Sequence, residues 1–439
     1  MQIDIQSNQI QKFLVSFPFL HMNQSTTNPS RPTISIAWVI VALLVPVALL
    51  NYLDRQMIAA MKASVMGDIP SIQSDANWGY MLGQFKWVYA FLSPVGGFLA
   101  DRFSRRLTIC FSLIAWSLIT FLTGYVSSYE QLLWTRTLMG VSEAFYIPAA
   151  LALIADYHVG ATRSRAIGMH QMGIYCGVIL GGFSGYAADS PSIGWQSAFK
   201  AIGVIGIVYA VPLVIFLRDV PRSADALELN TKPTVLSAVQ ALLSNRSFLL
   251  LVGYFTLPAL AGWVVRDWMP SILKESFSIG QGLAGVSATI YWQGAAIFAA
   301  LAGGWFADRW MQRNIRGRIY VSAIGMGLII PALISVGVAT SQGSFVMAIL
   351  ALVLFGIGWG FFDCNNMPIL CQIVKPELRA TGYGIMNMVS ISCGGFADWG
   401  FGRMRDNDVP LTVIFGVFAT VCVISVVLVL LIRPRPIQE

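Results

Sequence analysis

Charge is what this sequence has least of. Of its 439 residues, 11% are Asp, Glu, Lys or Arg and 56% are hydrophobic, whereas a soluble chain carries about 25% charged residues. A water-soluble globule is excluded. So is a nucleic-acid partner, despite a net charge of +7, because the basic residues sit in short connections between apolar runs and form no stripe. The six cysteines (Cys110, Cys176, Cys364, Cys371, Cys393, Cys422) contain no CxxC pair and no Cys/His cluster. Neither a disulfide framework nor a metal site is expected. Also missing are the GxxxxGK[ST] loop, HExxH and a nucleophile elbow. That argues against an ATP-driven pump, a protease or any other enzyme, and no cofactor is expected.

Long apolar runs are what the chain has instead. Crossing a bilayer takes roughly 20 residues of helix, and twelve stretches qualify: 35–57, 79–100, 107–126, 131–155, 166–187, 198–217, 247–269, 282–306, 319–340, 344–366, 380–401 and 410–432. Residues 1–33 are polar apart from Phe13–Leu20, lack a signal-peptide pattern and read as a disordered tail, with Met1 or Met22 as start. Segment 218–246 reads as a linker dividing bundles 34–217 and 247–433, with 434–439 a second tail. Arg102, Arg105, Arg106, Arg163, Arg165, Arg218, Arg309, Arg313, Arg316 and Arg318 fall on the side shared by the termini and the linker; Lys62, Lys274, Arg403 and Arg405 fall on the other. Basic loops stay in the cytoplasm, so both termini are expected inside, in a plasma or bacterial inner membrane.

The halves repeat. Gly96-Gly97-Phe98-Leu99-Ala100-Asp101-Arg102 returns as Gly303-Gly304-Trp305-Phe306-Ala307-Asp308-Arg309, and Leu138-Met139-Gly140 through Arg163 returns less clearly as Leu354-Phe355-Gly356 through Arg379. The fold class is therefore an all-α membrane protein, with twelve transmembrane helices in two pseudo-symmetric six-helix bundles. Gly97-x-x-x-Asp101-Arg102-x-x-Arg105-Arg106 resembles the loop signature of the major facilitator superfamily. Within it, Asn51-Tyr52-Leu53-Asp54-Arg55, Arg136-x-x-x-Gly140-x-x-Glu143 and Arg379 through Asn387 resemble the anion:cation symporters, carriers of organic acids together with protons. The first of these segments, with Glu143-Ala144 and Ile154-Ala155-Asp156, equally resembles the Spinster-type lipid transporters.

Chemistry concentrates where charge interrupts apolar helix. Arg55, Lys86, Arg136 and Arg266 lie within predicted spans, accompanied by Asp54 and Glu143, and ionisable residues at such depth default to functional use. Arg136 and Glu143 are seven apart, hence on one helix face and roughly 10 Å apart along it. Convergence of Arg55, Lys86 and Arg136 would make an electropositive region that concentrates anions, and a guanidinium fork suits a carboxylate. Asp54 and Glu143 are the proton-coupling candidates, because burial and a neighbouring Arg act oppositely on a carboxyl's hold on its proton. Asp54–Arg55 and Arg136–Glu143 could equally be ion pairs that only orient helices. Tyr52, Tyr89, Gln171, Trp359 and Asn387 are candidate substrate contacts, and the organic-acid resemblance assigns that role to Gln171 and Asn387. Arg266 could end its helix before Pro270, and Asp363 could line an exit path or cap against Arg379. The resemblance makes Asp101, Arg102, Arg105, Arg106, Asp308 and Arg309 gate residues. The expected function is monomeric, proton-coupled import of a small organic anion, a hexuronate or aldonate, across a lipid bilayer by alternating access; the alternative is a Spinster-like lysolipid or sphingolipid carrier.

Overall fold

The computed structural model describes residues 34–102, 104–158, 162–220, 235–375 and 378–434. The expected tail 1–33, nearly all of the tail 434–439, half of the linker 218–246 and the side chains of Asp101 and Arg102 lie outside the described residues. The first bundle comprises α1 (Ile34–Ala60), the short α2 (Lys62–Asp68), α3 (Asp75–Arg102), α4 (Arg105–Thr123), α5 (Tyr129–Glu143), α6 (Tyr146–Tyr157), α7 (Arg163–Asp189) and α8 (Gly194–Phe216). After α9 (Val235–Leu243), the second comprises α10 (Arg246–Phe277), α11 (Gln281–Met311), α12 (Gly317–Gln342), α13 (Phe345–Asp363), α14 (Asn366–Ile373), α15 (Arg379–Asp406) and α16 (Leu411–Leu431). With α5–α6 and α13–α14 each counted as one broken crossing, twelve helical spans result among the described residues. The helix α9 was not anticipated in the linker; it buries Ala238 and Leu242.

Ten of the twelve crossings are long and apolar enough to span a membrane by composition; α3 and α15 are not among them. Their polar content has a structural reason, since these two helices pack on each other across the bundle interface. A side chain at Gly79 or Gly83 of α3 would collide with the backbone of Asp398 or Gly395 on α15. Small residues allow that approach, so the polar groups of α3 and α15 meet protein instead of lipid.

Helix ends follow local chemistry. Ser104, Ser128, Asn245 and Ser344 accept the N–H of Leu107, Gln131, Ser247 and Met347, capping α4, α5, α10 and α13. α10 runs through Pro258 and Pro270 to Phe277, so Pro270 does not end it and Arg266 is an interior residue.

Successive crossings alternate, which places the connections 61–74, 124–128, 190–193 and 278–280 at one end, called here the far side. The linker and the C-terminus lie at the other, the linker side. At the far side one apolar core is continuous across both bundles, joining Met57, Met61, Trp78 and Phe199 to Trp268, Ala284 and Phe401. On the linker side the first bundle keeps a separate core around Val41, Ile109, Trp116, Leu153 and Leu213. Polar contacts reinforce the far-side closure. Asp406, the last residue of α15, accepts the N–H groups of Asp75 and Ala76 at the start of α3, both at 2.8 Å. Asp189, the last residue of α7, does the same for α11, accepting from the Gly282 N–H at 2.9 Å and the Gln281 side chain at 3.0 Å. The two bundles thus cap each other's helices reciprocally.

Candidate functional site

The first ionic group lies where α1 and α5 face each other. Arg55 Nε donates to Glu143 Oε2 at 2.6 Å, and Glu143 is fully buried. Aromatic rings line the guanidinium: Tyr52, Phe85 and Tyr89 have centroids 4.8, 4.9 and 4.6 Å from its carbon. Such rings favour a desolvated cation by the ring quadrupole. Arg136 lies 3.8 Å from Asp54, which also accepts from the Thr120 hydroxyl. The pairing is crossed relative to the sequence neighbours: Arg55 goes with Glu143, and Arg136 with Asp54.

The second group spans the bundles. Lys86 of α3 donates to both Asp267 of α10 and Asp398 of α15, and its Nζ lies 4.4 Å from the Trp263 ring centroid. Lys86 is 3% exposed and Asp398 0%. Arg266 lies 3.9 Å from Asp267 and over the Tyr52 ring. Four buried cations therefore meet four carboxylates: Asp54, Glu143, Asp267 and Asp398. Sequence reasoning named only the first two and expected an electropositive region; the structure corrects this to a balanced set. The signal for Asp398 was available, as a lone acid inside the eleventh apolar run, and Asp267 is adjacent to Arg266.

Below this layer a cavity of ≈ 220 Å³ lies between the bundles. One wall carries Tyr52, Arg55, Tyr89, Gln171 and Tyr175; the other is largely aromatic, with Phe255, Trp263, Trp292, Trp359 and Phe362, together with Arg266, Gln293, Asp363, Asn387 and Ser390. Of the residues expected to contact substrate, Tyr52, Arg55, Tyr89, Gln171, Trp359, Arg266 and Asn387 are brought together here. Lys86 and Arg136 border a separate, smaller pocket behind Arg55 and Arg266. The exposed side chains of Asp363, Tyr383, Met169 and Met172 mark the end of the interface where the helices part, toward the linker side.

Asp363 also reveals a repeat register that the sequence reading missed. It is the last residue of α13, as Glu143 is the last of α5, and each break is preceded by the same glycine and followed by the same proline: Gly140-x-x-Glu143 to Pro148, and Gly360-x-x-Asp363 to Pro368. Arg379 donates to the Cys371 carbonyl at 3.2 Å, a different partner from the cap on Asp363 considered from sequence. His170 is buried, with Nε2 2.9 Å from the Tyr146 hydroxyl.

The contacts described for the gate candidates Arg105, Arg106 and Asp308 lie within their own bundles. Arg105 pairs with Asp156 and donates to the Ala152 carbonyl at 2.9 Å; Arg106 donates to the Val214 carbonyl. In the second repeat Asp308 pairs with Arg318 at 2.8 Å, and Arg309 is exposed.

Residues 44–397 match the family profile described as Major Facilitator Superfamily. The chain is 30% identical over 381 residues to protein spinster homolog 1 of Xenopus laevis, covering 80% of this chain and 69% of that protein. Among solved structures, a bacterial homologue of the human lysosomal transporter Spinster, inward-facing and unoccupied, superposes with a TM-score of 0.72 at 21% identity, covering 91% of this chain and 96% of that one. A D-xylose-proton symporter superposes with a TM-score of 0.72 at 16% identity, covering 91% and 98%. At these identities the two structures speak for the fold alone.

Proposed function

Because the chain belongs to the major facilitator superfamily, and is therefore a transporter and not an enzyme, we propose that it couples protons to the movement of a small organic anion, of the sugar-acid class, by alternating access. One observation carries the reading: the Arg55–Glu143 contact at the head of the central cavity. With Glu143 ionised, its carboxylate holds Arg55 Nε and competes with an incoming carboxylate for the guanidinium. A proton on Glu143 removes that competitor and leaves the guanidinium, which borders the cavity, to bind the anion. Substrate and proton then enter the buried layer together, and the charge balance of the four-by-four set is kept. Asp54 and Arg136 form the parallel couple, and proton transfer between the couples follows the same rule. Gln171, Asn387, Gln293 and the tyrosines supply hydrogen bonds to hydroxyls, and Trp359 offers a flat face for a sugar ring.

The uneven distribution of Lys and Arg supports a cytoplasmic linker side and cytoplasmic termini, in a plasma or bacterial inner membrane. With the far side closed, the cavity then faces the cytoplasm. The carrier works as a monomer, each bundle providing half of the site.

A second reading is favoured by the aromatic wall (Phe255, Trp263, Trp292, Trp359, Phe362) and by the spinster relatives: a carrier of an amphiphilic lipid anion, a lysolipid or sphingolipid. Uptake into proteoliposomes under an imposed pH gradient separates the two. Radiolabelled hexuronate or aldonate should accumulate uphill, competed by other sugar acids and not by the neutral parent sugars, and Glu143→Gln should abolish accumulation while leaving exchange. Transport of lysolipid without sugar-acid uptake would establish the second reading. Undiminished uphill uptake by both Glu143→Gln and Asp54→Asn would overturn the coupling.

A further inference from the structure

Behind the central cavity, toward the far side, lies a second space of ≈ 30 Å³ lined by Arg55, Lys86, Arg136 and Arg266, with a single carboxylate, Asp267, and an apolar floor of Ile58, Leu82 and Phe85. Arg55, Trp263 and Arg266 border both spaces and form the partition between them. Four cations face one acid here because Glu143, Asp54 and Asp398 hold their partners from outside the pocket.

The donors are not used up. Nη2 of Arg55, Nη2 of Arg266, and Nε and Nη2 of Arg136 are buried and reach no acceptor at hydrogen-bond distance. Arg136 is 2% exposed, and its approach to Asp54 at 3.8 Å is an ion pair too long for a hydrogen bond. A buried N–H left without an acceptor is costly, and more so on a charged group. A space of this size holds one or two water-sized occupants. It is too small for a sugar acid, and it matches a monatomic or similarly compact monoanion.

We propose that this pocket is a binding site for a small inorganic monoanion of the chloride class, separate from the organic-anion site. An ion seated there would accept from Arg136, Arg55 and Arg266 at once. It would hold the two partition arginines from behind while their other faces border the central cavity. The inference uses the proposed function only to name the larger cavity's ligand, and its test needs no organic acid.

The test is equilibrium binding of ³⁶Cl⁻ to the purified, detergent-solubilised protein at constant ionic strength, with gluconate replacing chloride. Saturable binding is expected, about tenfold or more weaker in Arg136→Gln. Leu82→Phe, which fills the floor and leaves every charge in place, should also abolish it, and a far-ultraviolet spectrum and melting curve confirm that this variant is folded. Trp359→Ala, in the central cavity, should bind chloride as the wild type does. Bromide in crystals should give an anomalous peak between Arg136 and Arg266. Absence of saturable binding, a bromide peak in the central cavity, or full retention by Leu82→Phe would overturn the proposal. Loss of sugar-acid transport with intact chloride binding would overturn only the function proposed above.

Discussion

Replacing Lys86 by Gln removes the one cation that the Asp267 and Asp398 carboxylates share across the bundle interface. Both acids belong to the second bundle and the lysine to the first, so this triad exists only while the far side is closed. In that state the substitution leaves two acids packed together without the amine they share, the fully buried Asp398 with no cation among the described residues and Asp267 with only Arg266 at 3.9 Å. Breaking a buried ion pair in this way costs about 3–5 kcal/mol. In the opened state the same acids would meet water, and the cost would be small. The closed state should therefore lose about 3 kcal/mol or more relative to the open one, a population shift on the order of a hundredfold. Double electron–electron resonance between spin labels on the exposed far-side residues Ser192 of the first bundle and Ser341 of the second reads this directly. Lys86→Gln should add a longer-distance population that is minor in the parent, and Lys86→Arg should largely restore the short one. A distance distribution unchanged in Lys86→Gln would refute the reasoning, because the triad would then contribute nothing to closure.

Three further outcomes follow. Asp189→Ala and Asp406→Ala each remove a cap that crosses the interface, and each should weaken far-side closure by about 0.5–2 kcal/mol, read by the same spin-label pair. A side chain on Gly262 would collide with the Trp359 ring, so Gly262→Ala should turn that ring and lower substrate affinity about tenfold in a binding titration, at a stability cost of about 1–3 kcal/mol. Asp363→Asn should alter transport without lengthening the far-side distance distribution, since Asp363 lies at the opposite end of the interface; an effect on that distribution would show that Asp363 contributes to closure.

Much of the architecture was legible because a bilayer imposes length and apolarity on every crossing. The recurrence of the Asp101-Arg102 segment at Asp308-Arg309 supplied the symmetry. It also supports counting α3, which ends at Arg102 and which composition alone does not qualify; α15 falls short in the same way and lies outside that recurrence. Arg55, Arg136 and Glu143 were legible as isolated charges in apolar sequence. Their pairing was not: Arg55 and Glu143 are 88 positions apart, and only the tertiary arrangement of the first bundle selects Glu143 over the adjacent Asp54. Asp267 and Asp398 were readable as intramembrane acids and went unread, so the balanced charge looked like an excess. The breaks after Glu143 and Asp363 were hidden because the glycine match at Gly140 and Gly356 suggests a different repeat register from the one the helix ends adopt.

The mutual capping of α3 by Asp406 and α11 by Asp189 bears on how the molecule must move. The clasps are swapped between halves and related by the internal duplication, so they pull from opposite flanks of the interface. Releasing only one would leave the halves skewed about the survivor. The least strained route unfastens both at once, so the halves should rock symmetrically, like a clamshell whose twin catches share a single key.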